Sequence, residues 1–123
     1  MAKTDEKGLP TLQVWQKAIS FATTICKEIL PKLPVQEKWS LADQLRRSAQ
    51  SVPANIAEGN GRSHRREYAH HVSIARGSLR EVETLLEIAL GLGYTSEEEL
   101  TTIRELLDHV GRMLTRLLKR LAS

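Results

Sequence analysis

Apolar residues recur along the chain at alternating three- and four-residue steps, in four successive runs separated by short punctuation. That spacing is the seam of an α-helix packed nearly parallel to its neighbours. The first run is Leu12, Trp15, Ile19, Ala22, Cys26, Ile29 and Leu33, ended by Pro31 and Pro34. The second is Leu41, Leu45, Ala49, Val52 and Ile56, with Pro53 inside it and Gly59, Asn60 and Gly61 at its close. The third is Tyr68, Val72, Ala75, Leu79, Val82, Leu86 and Ala89, stopped by Gly91 and Gly93. The fourth is Leu100, Ile103, Leu107, Val110, Leu114, Leu117 and Leu121. No window shows the period-two alternation of a strand. Four such runs with short connections predict an all-α, antiparallel, up-down-up-down four-helix bundle.

Local signals refine this picture. Ser40 and Asp43 have capping-box spacing ahead of the second helix, and Ser96 with Glu99 forms a full capping box ahead of the fourth. Pro53 predicts a kink or a broken turn, because it lacks a donor and crowds the Ala49 carbonyl. Ser51 or Asn55 is placed to satisfy the freed backbone groups, and Glu58 to pair with an arginine of a neighbouring helix. A second apolar stripe on the first helix (Val14, Ala18, Phe21, Ile25), with Ile74, Leu85 and Ile88 on the third and Leu106, Met113 and Leu118 on the fourth, exceeds what one core face requires. Such surplus predicts burial against another subunit.

The chain is 123 residues long, one domain's worth, with residues 1–10 expected to be flexible. Cys26 is its only cysteine, which excludes a disulfide scaffold and a cysteine-based zinc site. On the first stripe it reads as a small buried hydrophobe. The polar opening MAKTDEKG is no signal peptide and no stretch is apolar enough for a membrane helix, so the expected setting is the cytoplasm. Aromatic residues make up 4% of the chain, too few for a base-stacking platform.

Charge is more informative by segment than in total. The net charge of +3 divides unevenly. Residues 62–80 hold Arg62, Arg65, Arg66, Arg76 and Arg80 against Glu67 alone, whereas residues 81–99 hold six glutamates and no base. In the expected topology the second loop shares an end with the C-terminus, so Arg62, His64, Arg65 and Arg66 approach Arg112, Arg116, Lys119 and Arg120. Clustered guanidiniums match phosphate oxygens, which makes this basic pole a candidate RNA or DNA surface. Glu97–Glu99 at the start of the fourth helix and Arg116, Lys119 and Arg120 at its end also complement its macrodipole. That accounts for the fourth helix but not for Arg62, Arg65 and Arg66 at a helix start, where cations are disfavoured.

Catalytic constellations are missing. Glu67 and His70 form one Glu-x-x-His pair, but the two-metal carboxylate bundles need two pairs and two further glutamates. No Gly-rich phosphate loop follows a strand, and no serine has an evident base partner. The expectation is a chain without catalytic residues, metal or cofactor. Gln44, Arg47, Ser51, Pro53, Asn55, Glu58 and Gly59 within the second helix are assigned a structural role, since polar groups near a broken turn must find partners.

The string from Leu41 to Gly61, LADQLRRSAQSVPANIAEGNG, closely resembles the signature of bacterial four-helix-bundle proteins encoded within intervening sequences of 23S rRNA genes. The likeness rests on Gln44, Leu45, Arg46, Arg47 and Ser48, then Ser51 through Gly59, then Gly61 and Arg62. It continues through Glu67, Tyr68, Ala75, Gly77, Ser78, Leu79, Glu81, Leu90, Gly93 and Tyr94, and includes Val14, Trp15, Ala18, Pro34 and Glu37. Arg76 departs from the pattern, where smaller residues are usual. The resemblance implies a ring-like homopentamer. It also implies a fold shared with the accessory variability proteins of diversity-generating retroelements, basic pentamers that bind nucleic acid and a reverse transcriptase. Two expectations follow: a non-enzymatic, oligomeric RNA-associated protein, or a protein-interaction scaffold such as the partner of a retroelement reverse transcriptase.

Overall fold

The computed structural model describes residues 8–122, with side chains from Thr11 onward. Four helices carry the chain: α1 (Gly8–Thr24), α2 (Leu41–Asn60), α3 (Arg65–Gly91) and α4 (Glu97–Ala122). Among the described residues there is no strand, and no helix is long and apolar enough to cross a membrane. The expected flexibility of residues 1–10 falls mostly outside the described residues, and α1 already begins at Gly8.

Every position of the main apolar runs on α2, α3 and α4 is buried, from Leu41 to Ile56, Tyr68 to Ala89 and Leu100 to Leu121, whereas Ile74 and Ile88 of the surplus set stay exposed. The four helices close around this core as a four-helix bundle. On α1 the expectation is corrected. The buried stripe is Val14, Ala18, Phe21, Ala22, Ile25 and Ile29, while Ile19 is 40% exposed and Trp15 only half-buried. Two interleaved runs on this helix both keep the three-four spacing, and packing buries all of the second together with Ala22 and Ile29 of the first. The stripe assigned to a second subunit therefore belongs to the chain's own core. Leu85 is also buried, and Leu106, Met113 and Leu118 pack partly buried against the core.

The end of the first helical stretch follows from its prolines. Leu30 N–H bonds to the Ile25 carbonyl five residues back, the bond of a π-turn that spans Ile25–Ile29. Pro31 has no N–H to continue it, and the chain tightens into a single 3-10 turn at Leu30–Lys32. Cys26, expected in the core, lies half-buried on this wide turn.

Pro53 does not break α2, which runs without interruption from Leu41 to Asn60. Asn55 Nδ2 donates to the Ser51 carbonyl and to Ser51 Oγ, each at 3.0 Å, which reinforces the turn containing the proline. The expected Ser40 cap does not form. Ser40 Oγ donates instead to Glu37 Oε1 at 2.7 Å, and no side-chain bond closes the start of α2. At α4 half of the capping box forms: Ser96 Oγ accepts from Glu99 N–H at 3.2 Å, while the Glu99 carboxylate turns away to Lys32 and Thr95.

Helices α2 and α3 make the most extensive helix pair, and one position sets how closely they approach. A β-carbon on Gly59 would stand 2.9 Å from His71 Cβ and 3.1 Å from both Tyr68 Cδ1 and the Tyr68 carbonyl. Two side-chain contacts continue this seam. Asn55 Oδ1 meets His71 Nδ1 at 3.0 Å, and Ser51 Oγ meets Ser78 Oγ at 2.8 Å. Partner numbers fall along α3 as they rise along α2.

At the end of the bundle formed by the α1–α2 and α3–α4 connections, ion pairs and hydrogen bonds tie the chain together. Tyr94 Oη donates to Glu37 Oε2 at 2.9 Å, and Lys32 bonds Glu99. Arg104 bridges Glu87 at 2.8 Å and Glu97 at 2.7 Å. The hydroxyls of Ser40 and Tyr94 hold the Glu37 carboxyl below its ordinary value, and Lys32 does the same for Glu99.

Two outcomes test this packing. Gly59→Ala should destabilise the fold by about 1–3 kcal/mol, because the methyl meets packed atoms on α3. Gly77→Ala, where a β-carbon has nothing within 4 Å, should stabilise it by about 0.5–1 kcal/mol; chemical denaturation measures both. Because the Glu37 and Glu99 carboxyls titrate lower folded than unfolded, their stabilisation is complete above the ordinary carboxylate value of about 4.3 and is lost as pH falls through the depressed values. Replacing both by glutamine should lower the melting temperature at neutral pH and flatten its decline in acid. An unchanged acid limb would contradict the assignment.

Candidate nucleic-acid interface

The start of α3 and the end of α4 meet through Arg65. Its Nε donates to the Leu121 carbonyl at 3.3 Å, and its Nη2 donates to the Arg120 carbonyl. The last carbonyls of a helix have no partner within the helix and carry its negative end. A guanidinium from the neighbouring helix fills that role here. This resolves why an arginine stands at a helix start: Arg65 serves the C-terminus of α4 rather than the N-terminus of α3.

Arg62 is likewise engaged. It pairs with Glu58 at 2.5 Å and approaches Glu67 at 3.9 Å. Glu58 thus finds its arginine in the loop that follows its own helix, not on another helix as expected. Arg112 pairs with Asp108 one turn earlier on α4. Arg66, Arg116 and Lys119 are exposed and make no ion pair among the described residues. Arg120 is exposed, and its main chain accepts from Arg65. Of the seven basic residues singled out by sequence, the Arg65 contact brings Arg66 to the same end as Arg116, Lys119 and Arg120. Arg112 lies farther along α4, about two helical turns from Arg120.

The structural residues of α2 divide into two groups. Ser51, Asn55 and Gly59 form the α2–α3 seam, and with the Asn55 amide nitrogen committed to Ser51, its carbonyl accepts from His71 Nδ1. Pro53 is buried. Gln44 and Arg47 do not join this network. They are exposed on the flank of a shallow groove of about 390 Å³ with Asp43, Ser48, Ser78 and Glu81, and Arg47 lies 3.6 Å from Asp43. His71 and Ser78, which sequence reasoning passed over, complete the seam from α3. Only knowledge of the α2–α3 register singles them out.

At the other end of the bundle Trp39 is 82% exposed, Val35 83%, Leu92 55% and Ile88 46%. Lys38 Nζ lies 5.0 Å from the centre of the Trp39 ring. Among the described residues no group of three or more His, Cys, Asp and Glu side chains gathers as a metal ion would require, and Glu67 instead lies within ion-pair reach of Arg62. The chemistry available at the end where α3 begins and α4 finishes is hydrogen bonding and charge attraction by guanidinium and ammonium groups, which suits phosphate oxygens.

Comparison with known proteins agrees with this architecture. The chain is similar to a crystallised protein of unknown function from the S23 ribosomal protein family of Bacteroides thetaiotaomicron VPI-5482, with a TM-score of 0.82 and 23% identity over 90% of this chain and 99% of that one. At that identity the likeness speaks for the fold. No curated protein matches the chain. Residues 10–116 match the family described as 23S rRNA-intervening sequence protein, and the chain belongs to that family.

Proposed function

We propose that the chain is a non-enzymatic RNA-associated protein that acts as an oligomer and contacts phosphates through the end of the bundle where α3 begins and α4 finishes. The observation that carries this reading is the Arg65 contact with the last carbonyls of α4, which brings Arg66 to the end that holds Arg116, Lys119 and Arg120. Arg65 and Arg62 act here as builders of the surface rather than as its contact groups. The family description, which names an intervening sequence of 23S rRNA, supports RNA before DNA.

The helices run alternately up and down in this reading. The falling order of α3 partners along α2 supports it, as do the contacts of Arg65 with the end of α4 and of Lys32 with its start. Assembly into a ring of five copies rests on the family resemblance, with support from Ile19 and Ile74, which remain 40% and 38% exposed. A ring would gather several weak basic ends on one rim and bind through avidity.

A second reading has its own observation. The exposed Val35, Trp39, Ile88 and Leu92 at the opposite end are the kind of apolar side chains that a protein partner covers, such as a reverse transcriptase. In that reading the protein is a scaffold and nucleic acid is secondary.

Binding of a labelled RNA over a salt series separates the two. Arg66→Ala combined with Arg116→Ala should weaken RNA binding and make its log–log salt slope shallower by about two per chain engaged. Unchanged affinity and slope would remove the basic end from the interface. Recovery of a defined protein partner from nuclease-treated lysate, lost on Trp39→Ala, would favour the scaffold. Light scattering should give about five times the 13.8 kDa chain mass if the ring forms, and a monomer mass would exclude it.

A further inference from the structure

Three contacts fix how α3 lies against α4. Arg65 reaches the carbonyls of Arg120 and Leu121, the Arg80 guanidinium lies 3.4 Å from the place a β-carbon would take on Gly111, and Arg104 pairs with Glu87. Between the first two contacts, residues 68–80 of α3 run beside residues 109–122 of α4. Between the Arg65 and Arg80 contacts the one acid on either helix is Glu67, which lies 3.9 Å from Arg62, and at the Arg80 end the α3–α4 seam opens into a groove that Glu83, Glu87 and Asp108 line with Arg80 and Arg104.

Helical spacing places the bases of these segments along one seam. On α3, Arg76 and Arg80 recur at three-four steps with Arg65 and Glu87, the residues that reach α4. On α4, Lys119 recurs in the same way with Arg104, and Arg112 adjoins Gly111. Arg76 and Lys119 are exposed and make no ion pair among the described residues. Arg80 and Arg112 pair only with Glu83 and Asp108 on their own helices, and exposed pairs of this kind yield readily to a phosphate. Between these bases the surface is low, with Ala69, Ser73, Gly77 and Thr115 in place of long side chains.

We propose that this α3–α4 seam is a phosphate track for double-helical RNA, with Arg76, Arg80, Arg112 and Lys119 as its contact groups. The proposal rests on the RNA reading above and extends it from the end of the bundle onto its side. At the helical rise of 1.5 Å per residue, Arg76 and Arg80 stand about 6 Å apart along α3, and Arg112 and Lys119 about 10 Å apart along α4. A duplex rather than a single strand is favoured because neither segment exposes a Phe, Tyr or Trp side chain for stacking, and of the exposed histidine rings His70 lies off the three-four spacing of the seam and His109 lines a groove with α1. Low side chains between flanking bases let a rigid backbone lie close. Arg76 supplies the central charge.

The test uses the full chain, a short RNA duplex and one of its strands alone, followed by anisotropy over a range of about 50 to 200 mM salt. Wild type should bind the duplex more tightly than the strand. Arg76→Ala with Arg112→Ala should make the duplex salt slope shallower by about two while leaving the melting temperature unchanged, and Arg76→Lys should keep the slope. If that pair leaves the slope intact while Arg66→Ala with Arg116→Ala reduces it, the seam is overturned and the basic end stands. If the single strand binds as tightly as the duplex, the duplex assignment is overturned. If wild type binds neither RNA, the seam and the RNA reading fall together.

Discussion

The absence of a β-carbon at Gly59 is the constraint on which the arrangement depends. It lets α2 and α3 approach until Tyr68 and His71 fill the space a side chain would occupy. Where the helices come that close, half-buried polar groups on the facing surfaces pair with each other. Ser51 and Asn55 on α2 and His71 and Ser78 on α3 do so, and their hydrogen bonds fix the register of the two helices. A slip by one helical turn would leave these groups unpaired and drive a side chain into the main chain at residue 68. The register of α3 in turn decides where its arginines stand relative to α4.

Electrostatics then gives the bundle two unlike ends. At one end carboxylates are consumed internally: Glu37 by Ser40 and Tyr94, Glu99 by Lys32, Glu87 and Glu97 by Arg104. At the other, arginines are divided between construction and display. Arg65 terminates α4 and Arg62 is held between two glutamates, whereas Arg66, Arg116 and Lys119 face solvent. A count of basic residues overstates the surface available to a ligand, because a guanidinium that caps a helix is already spent. It understates the reach of that surface as well if the proposed track holds, since Arg76 and Arg80 would extend it along the α3–α4 seam.

Much of the fold is legible in the sequence where a single apolar run is available. The runs from Tyr68 to Ala89 and from Leu100 to Leu121 are buried throughout because no competing run on those helices keeps the same spacing over such length. On α1 two runs interleave, and only packing against α2 and α4 chooses Val14, Ala18 and Phe21 over Trp15 and Ile19. Caps are legible when the loop before them is simple, as at Ser96. At Ser40 a carboxylate three residues earlier competes for the hydroxyl and wins. The candidate site was legible as a clustering of charge but not as a division of labour. Whether Arg65 faces a carbonyl or a ligand depends on the neighbouring helix end, which local sequence does not encode. The α2–α3 ladder was half legible: Ser51 and Asn55 stand out as polar residues in an apolar run, but His71 and Ser78 acquire meaning only through the register.

The central proposal is that the display arginines engage nucleic-acid phosphates without reading sequence. The most direct measurement is to purify the chain from cells at low salt and to sequence whatever nucleic acid accompanies it. The account predicts RNA of mixed sequence that is released as the salt is raised. Protein that emerges free of nucleic acid at low salt, or that retains one defined sequence through high salt, would contradict it.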